Sequence, residues 1–340
     1  MTTQSVGGPA GSTRRCRRRR SLGLPVVVLL AVTACAGGTS ADEGPSHTVA
    51  LYTCVSDETI QPVIEAFRKS EPGSRIDLFR APTGQLNARV AADVRSGGLR
   101  ADVIWACDPL TMQAFVDQDL VGGWTPQDAG TVPGEFRTDD YVGAQVLYMV
   151  AVHRTDVPAP RAWSDLAGAG YAVAVPDPSV AASALGALGW FAGNPDYGLN
   201  FYRDLRSNGG VQVSTPDDVT TGVAQGLYDA GITTANSAYA AKTAGSPVDV
   251  VWPQPGAVAI YGPVALATHS ADSQVAKDFI SFVIGDDGQR VLSGAGSYPT
   301  RPGVAGPTIP AGAPVVSPDW AAIRKSQDAI LTEYKQVFGG

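Results

Sequence analysis

Histidine is nearly missing from this chain, which has three in 340 residues, at positions 47, 153 and 269. The sequence also has no Gly-x-Ser-x-Gly elbow, no His-Glu-x-x-His helix and no P-loop, so the common signatures of hydrolases, metallopeptidases and nucleotide-driven enzymes are lacking. A histidine triad would need His153 or His269, and neither lies on a strand-end loop with an evident Ser or Cys partner. No catalytic residue is assigned. Basic blocks are absent beyond the first twenty residues. Six of the 25 Lys and Arg residues lie between Arg14 and Arg20, and the remaining 19 face 32 acidic groups, a formal charge of −13. A body that acidic argues against nucleic acid as a partner, although a local pocket can still oppose the global sign. The apolar run over residues 22–32 holds about a dozen residues, too few to span a bilayer reliably.

What is present starts with a leader. Arg14-Arg15-Cys16-Arg17-Arg18-Arg19-Arg20, the apolar run and a small-residue exit make an export signal over residues 1–34. Its ending, Val32-Thr33-Ala34-Cys35, resembles a bacterial lipobox, which implies that Cys35 is diacylated and becomes the first mature residue. Ordinary signal-peptidase cleavage with an incidental cysteine is the alternative, and the arginine run only faintly resembles a twin-arginine signal. Residues 35–47 then read as a Gly/Ser/Thr-rich tether. The expected location is the outer face of the cytoplasmic membrane, anchored through Cys35.

Two cysteines remain, Cys54 and Cys107, each just past the C-terminal end of a predicted strand. If the first and third strands are neighbours, as the common doubly wound order requires, these ends lie close together. An exported setting lets a disulfide between them persist. Two cysteines alone make a poor metal site, and a reactive thiol is the further option.

Residues 48–105 carry the organising pattern. Val49–Thr53, Arg75–Phe79 and Ala101–Trp105 read as strands. The intervening segments place Ile60, Val63, Ile64 and Phe67, then Leu86, Val90 and Val94, on single helical faces. This is the grammar of a parallel sheet covered by helices, with chemistry at the strand C-terminal ends. Residues 141–153 form a long strand passing into a second lobe and ending at the surface with His153, read as structural. The second lobe repeats the pattern. A strand at 171–175 leads to a small-residue helix start at Ser179-Val180-Ala181-Ala182-Ser183, and a strand at 230–234 leads to Asn236 and Tyr239. A helix capped by Asp217 or Asp218 carries Val219, Val223 and Leu227. Small residues at a helix start let a ligand approach free backbone N–H groups, and the dipole favours an anion, although a plain Ser N-cap looks the same. Residues 248–252 and 256–268 return the chain to the first lobe, helices at 275–284 and 288–292 follow, residues 297–302 make an ordered loop, and an amphipathic helix closes the chain. Two α/β lobes joined by extended crossovers make a hinged cleft.

The lipobox, LYTC, IQPVIEAFRK, TGQLNARV, RADVIWACDP, GITTANSAY, GPVALAT and AKDFISFVIGDDGQRVL, in that order and spacing, resemble the solute-binding lipoproteins of bacterial ABC transporters, in the branch holding ferric-ion-binding and 2-aminoethylphosphonate-type proteins. The resemblance covers nearly all of residues 48–305. It implies an α/β, type II periplasmic-binding-protein fold, each lobe a mainly parallel sheet flanked by helices, joined by two crossover strands. Residues 48–143 with 249–307 would form lobe 1, and residues 144–248 with 308–340 lobe 2. It further implies a monomer that captures a solute without catalysis, uses no cofactor and delivers to a membrane permease.

Ferric-binding members of the branch hold iron through a histidine, a glutamate and two adjacent tyrosines, with a synergistic anion at a helix start. The corresponding positions here are Ser56, Cys107 and the pair Ala238-Tyr239, with the nearby asparagine kept as Asn236. One ligand of four survives, and a hard cation needs oxygen donors, so no metal ligand is assigned. Asp57 or Asp108 could substitute only by a shift of one residue. The anion half is better kept: Ser179, Ala182 and Ser183 match the family's anion-binding turn, and Thr83 and Gly84 offer a second helix start. Arg80 can present a guanidinium fork, unless it is simply solvated beside Asp77. Tyr239 and Asn236 can hydrogen-bond an organic solute, and Asp57 and Asp108 can pair with its amine. Trp105, Trp190 and Tyr261 are wall candidates that also suit the core. The expected solute is a small anionic or zwitterionic organic compound (phosphonate, phosphate ester or carboxylate). The alternatives are ferric iron held by a non-standard ligand set, an enzyme of unknown reaction, and a purely structural lipoprotein.

Overall fold

The computed structural model describes residues 47–339, so the leader, Cys35 and nearly all of the tether lie outside the described residues. The first predicted strands appear as β1 (Thr48–Thr53) and β2 (Arg75–Arg80). Between them α1 (Asp57–Ser70) buries Ile60, Val63, Ile64 and Phe67, the face its period marks. α2 (Thr83–Arg95) buries Leu86 and Val90, but Val94 is 40% exposed. Two i+4 steps rotate a residue about 80° around a helix of 3.6 residues per turn, which carries Val94 off the stripe. β3 (Val103–Trp105) and α3 (Pro109–Val116) complete this module. Residues 127–136 form two 3₁₀ turns, and Ala129 and Val132 pack inward beside them.

β4 (Val142–Arg154) then enters the second module. There α4 (Trp163–Ala167), β5 (Val173–Pro176), α5 (Ala182–Gly193), α6 (Asn200–Ser207), β6 (Val211–Val213), α7 (Pro216–Ala224), β7 (Ala230–Thr234) and α8 (Ala235–Thr243) follow in order. α7 stops before Leu227, which is 64% exposed rather than packed, because Gly226 at φ +75° turns the chain out of the helix. β8 (Val248–Val251) and β9 (Ala257–Leu266) lead back, followed by α9 (Gln274–Ile284) and α10 (Asp286–Gly294). β10 (Tyr298–Pro299), where an ordered loop is expected, pairs antiparallel with β4, and β11 (Val315–Val316) pairs with β9. α11 (Trp320–Phe338) is the terminal helix.

The strands run in the order β2-β1-β3-β9-β4-β7-β5-β6. β1 is parallel to both β2 and β3, so the first and third strands are neighbours as expected. β5 is likewise parallel to β6 and β7. Between these parallel sets lies the antiparallel pair β4/β9, each strand shared by both modules. β9 meets β3 through Val264–Leu266, and β4 meets β7 from Met149 to His153. The register of β4 against β9 shifts between Gly143 and Gln145, a β-bulge. His153 is not at the surface: β4 lies between β7 and β8 there, the side chain is buried, and its Nδ1 bonds the Arg154 carbonyl.

The core follows this layering. Phe67 meets Phe279 edge-on at 5.1 Å, joining α1 to α9 on one side of the first module. Leu86 and Val90 cluster with Tyr52 and Ile104 on the other. Trp163, Phe191, Phe201 and Tyr202 form an aromatic core in the second module, and Tyr334 of α11 packs on Tyr202 at 5.1 Å. Trp105 is fully buried, as is most of Tyr261. These aromatic candidates are core residues.

Candidate functional site

Parallel strands send their C-terminal ends to one side of a sheet, and each hands over to a helix whose N-terminus points back there. At the end of β1, Cys54 is joined by a disulfide to Cys107 at the end of β3, with Cα atoms 5.9 Å apart. Thr53 Oγ1 donates to the Trp105 carbonyl at 2.8 Å and accepts from Val55 N–H at 3.0 Å, tying the same two strand ends side by side. The bridge forms part of the wall of a cavity between the modules, with about 100 Å³ open to the centres of water molecules.

Five helices begin at this cavity. Ser56 of α1 and Thr83 of α2 come from the first module, and Ala182 and Ser183 of α5, Pro216 of α7 and Asn236 of α8 from the second. Thr215 and Asp218 form a capping box on α7. The other four starts have no side-chain cap on their first N–H groups. Each helix N-terminus carries about half a positive charge, so five directed at one space make it attractive to an anion. Formal charges in the lining are one of each sign, Arg80 and the exposed Asp217. Arg80 does not pair with Asp77. Its Nε donates to the Val55 carbonyl at 3.1 Å, which fixes the guanidinium over the cavity while its terminal nitrogens meet no acceptor among the described residues. Asn236 Oδ1 is buried without a partner.

The structure thus gathers Ser56, Arg80, Thr83, Ala182, Ser183 and Asn236 around one space, with Cys54 and Cys107. Asp57, Gly84, Asp108, Ser179 and Tyr239 are not in its lining. Asp57 is exposed at the first turn of α1. Asp108 is fully buried and caps α3, accepting from Thr111 N–H at 2.8 Å, so it has no open path to an amine. Burial pushes its carboxyl above the usual range despite that bond. Ser179 sits before α5 rather than at its start, and its N–H and hydroxyl both donate to Asp177 Oδ1, at 2.7 and 2.6 Å. The phenol of Tyr239 accepts from Trp252 Nε1 at 3.0 Å. Gly84 meets the opposite module: its N–H donates to the Val180 carbonyl at 3.1 Å, and a Cβ there would lie 2.9 Å from the Ser179 carbonyl oxygen. The two sides of the cleft therefore touch.

Gln145, Leu147, Thr215, Asp217 and Thr234 also line the cavity, and no motif in the sequence marks them as lining residues. The sequence places the cap of α7 at Asp217 or Asp218; the cap is Thr215, and Asp218 completes the box from the first turn. Among the described residues no group of three or more His, Cys, Asp or Glu side chains is placed to hold a metal ion. None of their helices is long and apolar enough to cross a membrane.

A family profile described as bacterial extracellular solute-binding protein matches residues 51–297. No curated protein is matched by sequence. Among solved structures, the periplasmic binding protein AfuA from Actinobacillus pleuropneumoniae, with exogenous fructose-6-phosphate bound, superposes with a TM-score of 0.77 at 15% identity, covering 86% of this chain and 98% of that one. The substrate binding protein of an ABC transporter from Agrobacterium tumefaciens gives 0.76 at 14%, covering 87% and 97%. Apo ferric ion-binding protein A from Pasteurella haemolytica gives 0.71 at 20%, covering 86% and 98%. At such identities the likeness fixes architecture, two α/β lobes of the type II periplasmic-binding-protein kind.

Proposed function

Because the chain belongs to the bacterial extracellular solute-binding proteins, the capture components of ABC importers, we propose that its cargo is a small organic anion, with phosphonate, phosphate ester or carboxylate as the charged end. The convergence of five helix N-termini on one cavity carries this reading. Each is worth about 0.3–1 kcal/mol toward an anion when exposed and up to about 2 when partly buried. Arg80 adds charge-assisted hydrogen bonds of about 1.5–3 kcal/mol. Ser183 and Asn236 supply neutral polar contacts, and the small space favours a compact solute. Binding stabilises the closed form, in which Gly84 rests against Val180, and the permease reads that form. The protein captures and releases, with no bond made or broken. We further propose export through the leader, anchoring at lipidated Cys35, a monomeric state, and lobe boundaries within β4 and near β8.

A second reading is favoured by the ferric-binding proteins among the solved structures. It requires anionic oxygen donors, of which the lining offers only Asp217, so iron would depend on oxygens of a co-bound anion. Calorimetry and thermal shift with methylphosphonate, inorganic phosphate, acetate, and ferric ion with bicarbonate separate the readings. The anion reading expects metal-free binding of at least one anion, lost about ten- to a hundredfold in Arg80→Gln. Binding of ferric ion but of no anion alone would replace it with the second.

A further inference from the structure

The charge-reading groups of the cavity sit at helix starts and at the end of β2, but one polar side chain reaches it from a crossover strand. Gln145 of β4 is buried and lines the cavity. The bulge between Gly143 and Gln145 sets its direction, since an extra residue in a strand re-aims the side chain that follows. Across the ladder stands Gly262 of β9, where a Cβ would lie 3.3 Å from Gln145 Cγ, 3.4 Å from its Nε2 and 2.8 Å from the Ala106 carbonyl oxygen. The missing side chain makes way first for the Ala106 carbonyl and, beside it, leaves the carboxamide uncrowded. From the other side Ser297, just before β10, donates its hydroxyl to Gln145 Oε1 at 2.7 Å. With the oxygen end held, the N–H₂ end meets no acceptor among the described residues.

We propose that Gln145 is a specificity-determining residue, its N–H₂ a preset donor to an acceptor oxygen of the bound solute. The bulge and Ser297 set the aim of the amide, and Gly262 leaves its nitrogen end uncrowded. An amide held by its oxygen offers only hydrogens to the cavity. It therefore accepts solutes that present a bare oxygen and rejects those that present an N–H or a cationic end at that point. Because β4 belongs to both lobes, the contact forms at the floor of the cleft and is present before closure. This inference rests on the anion reading and goes beyond it by assigning the acceptor-selective contact.

The test is calorimetric titration of wild type, Gln145→Glu, Gln145→Met and Arg80→Gln with methylphosphonate and inorganic phosphate, with the melting temperature of each unliganded protein. Glutamate keeps the shape and the Ser297 bond while replacing the donor with a negative oxygen. Expected are a loss of a hundredfold or more in Gln145→Glu, with an unliganded melting temperature near wild type, and about tenfold in Gln145→Met, whose melting temperature falls modestly because buried Ser297 loses its acceptor. Equal affinity in wild type and Gln145→Glu, while Arg80→Gln binds weakly, would overturn the Gln145 assignment and leave the anion reading standing. A loss that simply follows falling melting temperature across the glutamine variants would overturn it as well. Wild type binding neither anion would overturn both.

Discussion

Asp108 shows how a carboxylate beside a cleft can serve the scaffold alone. One oxygen caps α3 and the other is buried without a partner, so the group is costly to ionise. Its folded pKa is raised above the unfolded value. The stability it contributes is therefore fully present below the ordinary carboxylate range and is lost as pH rises through the folded value. Asp108→Asn keeps an acceptor for Thr111 N–H and removes the ionisation. Chemical denaturation from about pH 4 to pH 8 should show wild type losing stability relative to Asp108→Asn as pH rises. Asp108→Ala, which also removes the cap, should be about 1 kcal/mol less stable than Asp108→Asn at all pH values, since neither variant titrates there. A pH-independent difference between wild type and Asp108→Asn would mean that the carboxyl does not titrate across that range. Side chains of this kind explain why the site was only half legible. Arg80, Thr83, Ser183 and Asn236 lie where strand-to-helix grammar puts them. Tyr239, one turn further along α8, instead finds the indole N–H of Trp252, a partner 13 residues away that no local pattern reveals. Gln145 lies in an alternating strand whose bulge exists only once β9 is beside it.

Among elements, the start of α2 and residues 179–180 are where the two sides of the cleft touch. Gly84 is a glycine because another backbone needs its space, with the Ser179 carbonyl 2.9 Å from where a Cβ would sit. Gly84→Val should leave each lobe folded, since that position is the second residue of a helix and a Cβ there would crowd only residues 179–180. It should weaken methylphosphonate binding about tenfold or more by removing the closed form, a conformational cost that subtracts directly from apparent affinity. Small-angle scattering checks the cause: the radius of gyration should contract with ligand in wild type and not in Gly84→Val. Contraction in both would place the closing contact elsewhere. Elements themselves were largely legible, because burial in a parallel sheet forces continuous apolar runs and covering helices carry a single apolar stripe. What escaped were the three short strands β6, β10 and β11, of two or three residues, too brief to show a period. The end of α7 also escaped, where Gly226 acted sooner than the apolar spacing suggested.

At the scale of the molecule, β4 and β9 make one sheet of two lobes, and the Cys54–Cys107 bridge cross-links the first lobe where it meets the cleft. Closing a loop of sequence separation 53 is worth about 4 kcal/mol in the chain-entropy account. Replacing both cysteines by serine should lower the melting temperature by about 5–10 °C by calorimetry. It should also loosen the placement of Ser56 and Arg80, so anion affinity falls even at temperatures where the protein stays folded. Unchanged affinity in that variant would reduce the bridge to a stability element.

The helix starts around the cavity carry one last consequence. A field made of peptide dipoles has no proton to shed, and every residue except proline supplies the N–H that makes it. On the anion reading, acidity can change the guest but not the attraction waiting for it, and a change of side chain can alter which guest fits while leaving the preferred sign intact. Such a receptor can be retuned many times over without ever having to reinvent its polarity.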